Sequence, residues 1–296
     1  MKRIINAVIA ALMLILLASC TGKANTAVVP AIQFAAPGAE EIAPPEMASS
    51  IKLNSTTMQV YYIDIPDGET MFKEFNSVSE IASDNVELIN KTDDGYWLYK
   101  AGDGTLLIDT SAGSWTYSTP LPSAAPDNMP TDAQAQQIAA KEIADSGLKI
   151  GSTSDSGVLS YTTDGDEKIL QKDVIFYPTV DGKNVYGIFR TTVGIGDGGK
   201  TVYFSNQSFE PKAGGEVKLK SIDEVKQSIS KGEFISNAAG ASGTATITDY
   251  ELCYYCDGVA KDGKMYVQPV YVFSAEINNA GESEQIKVFV DAASQA

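Results

Sequence analysis

Thr191-Thr192-Val193-Gly194-Ile195-Gly196-Asp197-Gly198-Gly199-Lys200-Thr201-Val202-Tyr203-Phe204 decides the fold. From Gly194 to Thr201 it fits G-x4-G-K-[ST], and the same glycines fit G-x-G-x-x-G. Either phosphate-binding reading requires the loop to open a helix, whose N-terminal amides hold the anion. Here β-branched and aromatic residues follow at once, and such a run forms a strand. The glycines therefore suit a hairpin tip between residues 191–193 and 201–204, and no nucleotide is expected there. Short hairpins join antiparallel neighbours.

Working outward, further strand-like runs lie at 58–65, 95–100, 169–177, 185–193, 201–209, 245–255, 265–275 and 285–290. Asp-Gly, a strong hairpin signal, begins at Asp67, Asp94, Asp103, Asp164, Asp181, Asp197, Asp257 and Asp262, mostly between these runs. Three helices interrupt them. The first is expected over 69–83, with Asp67 as N-cap and Met71, Phe72, Phe75, Val78 and Ala82 on one face. The second opens on the capping box Thr131–Gln134, stops at Gly147, and buries Ala135, Ile138, Ala139 and Ile143. The third opens on Ser221–Glu224, stops at Gly232, and turns Ile222, Val225 and Ile229 inward. The pattern predicts an α+β fold: repeated units of a curved antiparallel sheet with one helix packed on a face.

The first twenty residues give an address. Lys2 and Arg3 precede an apolar run from Ile4 to Ala18, and Leu17-Ala18-Ser19-Cys20 closes it. This resembles the lipobox of bacterial lipoproteins, which implies cleavage before Cys20 and a lipid on its thiol. The expectation is an extracytoplasmic protein anchored to the cell membrane by lipid. Residues 1–19 would be signal peptide. Residues 20–50, rich in Ala and Pro, would be a flexible linker. An N-terminal α+β domain is expected over 51–125 and a C-terminal one over 131–296, the latter from two helix-plus-strands units at 131–210 and 216–292.

Composition narrows the chemistry. A formal charge of −16 repels nucleic acid. The acidic residues are scattered, as on a solvated surface. Histidine is absent, which removes the usual general base at neutral pH, the Ser-His-Asp and Cys-His arrangements, and nearly all catalytic zinc sites. No cofactor or metal is expected.

Cys253-Tyr254-Tyr255-Cys256 is the other cysteine feature. It reads as a local structural disulfide, as free thiols, or as a redox or metal pair. Positions i and i+3 of a regular strand face opposite sides, so a bond would need a bulge or turn. Ser146-Gly147-Leu148-Lys149 fits the S-x-x-K of penicillin-binding enzymes, but Gly147 marks it as a helix end. Asp93-Asp94 and Asp164-Gly165-Asp166-Glu167 are polar turns, lacking the loop spacing of a calcium site. In Tyr61-Tyr62 and Tyr254-Tyr255, one ring of each pair should face the core and the other solvent.

From Thr131 onward the layout resembles the YycH/YycI-like extracytoplasmic regulators of a cell-wall histidine kinase and, more loosely, PepSY-type domains. The residues concerned are the helix 131–147, Val174-Ile175-Phe176-Tyr177 with Asp181-Gly182, the glycine hairpin, the helix 221–232, and Leu252–Tyr255 with Tyr266–Phe273. The resemblance implies a non-enzymatic protein that binds a membrane partner, although those regulators carry a transmembrane helix rather than a lipid. Pro269 implies that the strand with Tyr266, Gln268 and Tyr271 lies at an edge or bulge. It is the expected partner-binding edge. The functional expectation is thus a surface lipoprotein acting as a binding or regulatory module for an envelope protein. The alternatives are a thiol-redox protein using Cys253 and Cys256, and a carbohydrate- or peptidoglycan-binding or hydrolysing protein using carboxylates.

Overall fold

A computed structural model describes residues 27, 29–34, 42–78, 81, 85–124, 126–148, 150, 153–163, 166–238, 243–279 and 282–294. Cys20 and the expected signal peptide fall outside them. In chain order the elements are β1 (Glu46–Met47), β2 (Thr57–Asp64), α1 (Gly68–Ser77), β3 (Val86–Lys91), β4 (Tyr96–Ala101), β5 (Gly104–Asp109) and β6 (Ser114–Ser118). Next come α2 (Asp132–Ser146), β7 (Thr153–Thr163), β8 (Asp166–Tyr177), β9 (Thr179–Val180), β10 (Lys183–Gly187), β11 (Thr191–Ile195), β12 (Thr201–Gln207) and β13 (Lys212–Lys218). The chain closes with α3 (Ile222–Ser230), β14 (Ile235–Ser236), β15 (Ala245–Cys256), β16 (Ala260–Lys261), β17 (Lys264–Asn279) and β18 (Glu282–Asp291). The class is α+β, as the sequence pattern predicts.

Two mainly antiparallel sheets form. The first has eight strands in the order β3-β4-β5-β6-β12-β11-β8-β7. The second has ten, with the path β13-β2-β17-β15-β10-β9 and β1, β14, β16 and β18 attached beside it. The helices α1 and α2 pack on the first sheet and α3 on β18 of the second. Pairing ignores the expected domain boundaries. β6 pairs with β12, so residues 51–125 and 131–210 share one sheet. β2 pairs with β13 and β17, which puts the start of the expected N-terminal domain inside the second sheet.

Local chemistry explains the elements. Asp67 caps α1, its side chain accepting from the Thr70 N–H at 2.8 Å. Both capping boxes form: Gln134 and Glu224 each reach back to the backbone N–H of Thr131 and Ser221. Such a cap contributes about 1 kcal/mol. α1 ends at Ser77, short of the expected 83, because Val78 turns extended and buries its side chain. The hairpins β9–β10 and β16–β17 turn on Asp181-Gly182 and Asp262-Gly263, with all four residues at positive φ. That is the geometry that makes Asp-Gly a hairpin signal. In the first sheet, Trp115 and Phe204 stack at 5.2 Å beneath Phe75 of α1, and Ala135 and Ala139 of α2 complete the core.

The expected flexible linker is partly folded onto the second sheet. The Ala27 N–H donates to the Glu216 carbonyl of β13 at 2.8 Å. Ile32 is buried against Cys253, Tyr255, Val270 and Val272, and Phe34 meets the Tyr255 ring edge-on at 5.2 Å. Further on, Ile42 is buried and β1 pairs in parallel with β15. Ala and Pro dominate this segment's composition, but Val29, Ile32, Phe34 and Ile42 supply enough apolar surface to dock it.

Candidate functional site

The strand expected at an edge is the most interior of the second sheet. β17 has β16 and then β15 along one side, and β2 and then β18 along the other. Tyr266 is half-buried, while Gln268, Pro269 and Tyr271 are buried, with Gln268 only 2% and Tyr271 only 1% exposed. Pro269 fits a central strand for a specific reason. Its carbonyl accepts from the Ala292 N–H, so its nitrogen faces the same side. That is where the neighbour changes, from β2 (ending at Val267) to β18 (starting at Val270). No ladder donor is needed there. These four residues therefore present no open edge to a partner.

Cys253 and Cys256 are free and buried. β15 runs regularly through both, so they face opposite sides: Cys256 enters the main core, and Cys253 lies beneath Ile32. Burial pushes each thiol up to about 12, helped at Cys253 by the adjacent Glu251. A redox dithiol needs exposed sulfurs of lowered pKa within bonding reach, and this pair offers neither. Tyr254 and Tyr255 are likewise both buried, because the docked N-terminal segment covers the second face.

The glycine loop is the tip of the β11–β12 hairpin, closed by a 3-10 turn at Asp197–Gly199 and followed by a strand. Ser146 closes a helix end: its hydroxyl donates to the Ile143 carbonyl at 2.8 Å and accepts from the Leu148 N–H at 3.2 Å. Lys149 and the Asp164-Gly165 pair fall outside the described residues. Among the described residues, no three His, Cys, Asp or Glu side chains gather as a metal site.

Two other features stand out. The first is an open, apolar edge. β3 pairs with β4 and ends the eight-stranded sheet. Leu88 and Ile89 on it are 50% and 59% exposed. Ile89 is the extra residue of a bulge, where the register with β4 shifts between Leu88 and Asn90. Alongside, Tyr96 of β4 and Leu107 of β5 are also exposed. They stand on the face away from α1, since their neighbours Trp97, Leu106 and Ile108 turn toward the helical core. One edge of the second sheet is different. β13 carries Lys212, Glu216 and Lys218 with two glycines, and Ala27 already bonds it. The sequence contained this signal as Val86-Glu87-Leu88-Ile89, but without alternation it did not read as a strand.

The second feature is a cleft of about 290 Å³ between α1, the end of α2, and the paired ends of β11 and β12. Glu74 is fixed in its wall. Its Oε2 accepts from Trp115 Nε1 at 3.2 Å, Asn206 Nδ2 at 3.1 Å and Ser208 Oγ at 2.7 Å. Asn206 is set in turn by the Thr191 hydroxyl, which donates to its Oδ1 at 2.7 Å. Arg190 lines the same cleft. None of these residues stood in a recognisable motif, because four separate elements bring them together.

No family model matches the chain, and no curated protein matches it. A solved structure of an uncharacterized protein from Eubacterium rectale ATCC 33656 is 12% identical, covering 86% of this chain and 88% of that one at a TM-score of 0.45. At that level the likeness transfers neither fold nor function.

Proposed function

We propose that this protein is a non-enzymatic surface lipoprotein, anchored through lipid on Cys20, that binds an extended segment of an envelope protein along the β3 edge. The observation that supports this most is that β3, paired on one side only among the described residues, carries exposed Leu88 and Ile89 on one six-residue strand. An open edge supplies main-chain donors and acceptors to an incoming strand, and alternate side chains supply specificity. Leu88 stands opposite Tyr99 on the α1 side of the sheet, while Tyr96 and Leu107 are exposed on the other face. The bulge at Ile89 and the charges of Glu87 and Lys91 limit indiscriminate pairing between copies. A regulatory role of the YycH/YycI-like kind is the finer part of the proposal. It rests on the layout of residues 131–296.

Purification of the lipidated protein from its own membranes tests the reading. Wild type should retain one envelope protein that the doubly substituted Leu88→Lys, Ile89→Lys chain loses while its circular dichroism stays unchanged. Undiminished retention would overturn the assignment.

A further inference from the structure

We infer that the Glu74 cleft binds a small aliphatic primary amine, its ammonium against Glu74 Oε1 and its carbon chain against the apolar wall. The inference is independent of the β3 edge. It starts from a fixed charge that has no counter-ion. Glu74 is half-buried, and its Oε2 accepts from Trp115, Asn206 and Ser208. All three donors are buried, so they fix the carboxylate in the wall of the cleft. The two oxygens of a carboxylate diverge, so with Oε2 held in the wall, Oε1 is the one turned to the cleft. It takes no hydrogen bond, and Glu74 makes no ion pair, among the described residues.

A glutamine oxygen could satisfy the same donors without a charge. A half-buried carboxylate that lacks a cation therefore favours an incoming positive group. Arg190 is the one cation among the described residues lining the cleft, and it does not fill that place. Its carbonyl bonds the Gln207 N–H, and strand alternation turns its side chain to the other face with Thr192, beside Gln171 and Asp173. The end of α2 borders the cleft at Ser146 and Gly147, with no basic residue in its last turn. Its carbonyls and partial negative charge favour an ammonium further. Leu148, Ile150, Pro178 and Phe209 supply the apolar wall. A volume of about 290 Å³ lies at the lower end of ligand pockets, which suits a short alkyl chain. A hard divalent cation asks for about six oxygens, and Glu210 brings the only other carboxylate among the described lining residues.

Trp115 provides the readout. Its indole N–H donates to Glu74, and Trp97 is the only other tryptophan, so a Trp97→Phe chain assigns its NMR resonance. The probes are methylamine, ethylamine and butylamine near neutral pH, with butan-1-ol and butyrate as uncharged and anionic controls. Butylamine should shift the Trp115 resonance saturably at millimolar concentration, and neither control should. Each methylene from methyl to butyl should tighten binding roughly threefold, as burial of the chain requires. This series needs no variant. Glu74→Gln, which keeps an acceptor oxygen and whose fold circular dichroism checks, should weaken butylamine about tenfold or more, the worth of one charge-assisted contact. Leu88→Lys should leave it unchanged. The inference fails if butylamine does not move the resonance, if butan-1-ol moves it equally, or if the folded Glu74→Gln chain binds butylamine as tightly.

Discussion

Asn206 Nδ2 donates to Glu74 Oε2 at 3.1 Å, joining the first helix to the strand β12 across 132 residues of sequence. The same oxygen holds Trp115 and Ser208. Replacing Glu74 with Ala strands three buried donors. The expected loss is about 2–3 kcal/mol in denaturant unfolding, against about 1 kcal/mol for Glu74→Gln. Equal losses for the two substitutions would show that the acceptor does not organise these donors.

The docked N-terminal segment should matter to stability. Ile32→Ala removes a buried side chain over Cys253 and Val272, at a cost of about 2 kcal/mol. It should also speed alkylation of Cys253, which that side chain covers. Unchanged stability and labelling would mean that the segment does not dock in solution.

Gln268 is 2% exposed, and its Oε1 has no hydrogen-bond partner among the described residues. Replacing a buried, unsatisfied amide with an apolar chain of similar shape is neutral or favourable. Gln268→Met should therefore raise stability by about 1 kcal/mol in urea unfolding. A loss of that size would point to a partner for the amide.

Stability should fall in alkali and hold steady near neutrality. Histidine is absent, so no imidazole titrates between pH 6 and 8. Burial raises Cys253 and Cys256 to about 12, and it raises Tyr271 and Tyr61 to about 12 as well. In each case the unfolded chain loses its proton first. Their contribution is complete below the unfolded pKa, near 8.5 for thiols and 10 for tyrosines, and is lost as pH rises toward 12. Denaturant midpoints should be flat from pH 6 to 8 and fall above about 9. A midpoint that rises with alkali would contradict this.

The hairpin at Gly194–Thr201, the three helix starts and the α+β class were legible in the sequence, because each depends on residues a few positions apart. Pro269 misled for the opposite reason. Its placement depends on where β2 ends and β18 begins, and neither is visible locally. The linker reading failed because Pro and Ala hid four well-spaced apolar residues, whose value depends on the sheet beneath them. Glu74 carried no signal, since an isolated charge has meaning only once distant elements surround it.

The β3 edge is tested most directly by placing a photo-reactive residue at Ile89 and, in a second chain, at Leu121, which is 60% exposed. Both lipidated chains are then irradiated in native membranes. The account predicts that position 89 captures one envelope protein through an extended segment, and that position 121 does not capture it. Equal capture at both positions, or none at 89 with the fold intact, would contradict binding at this strand.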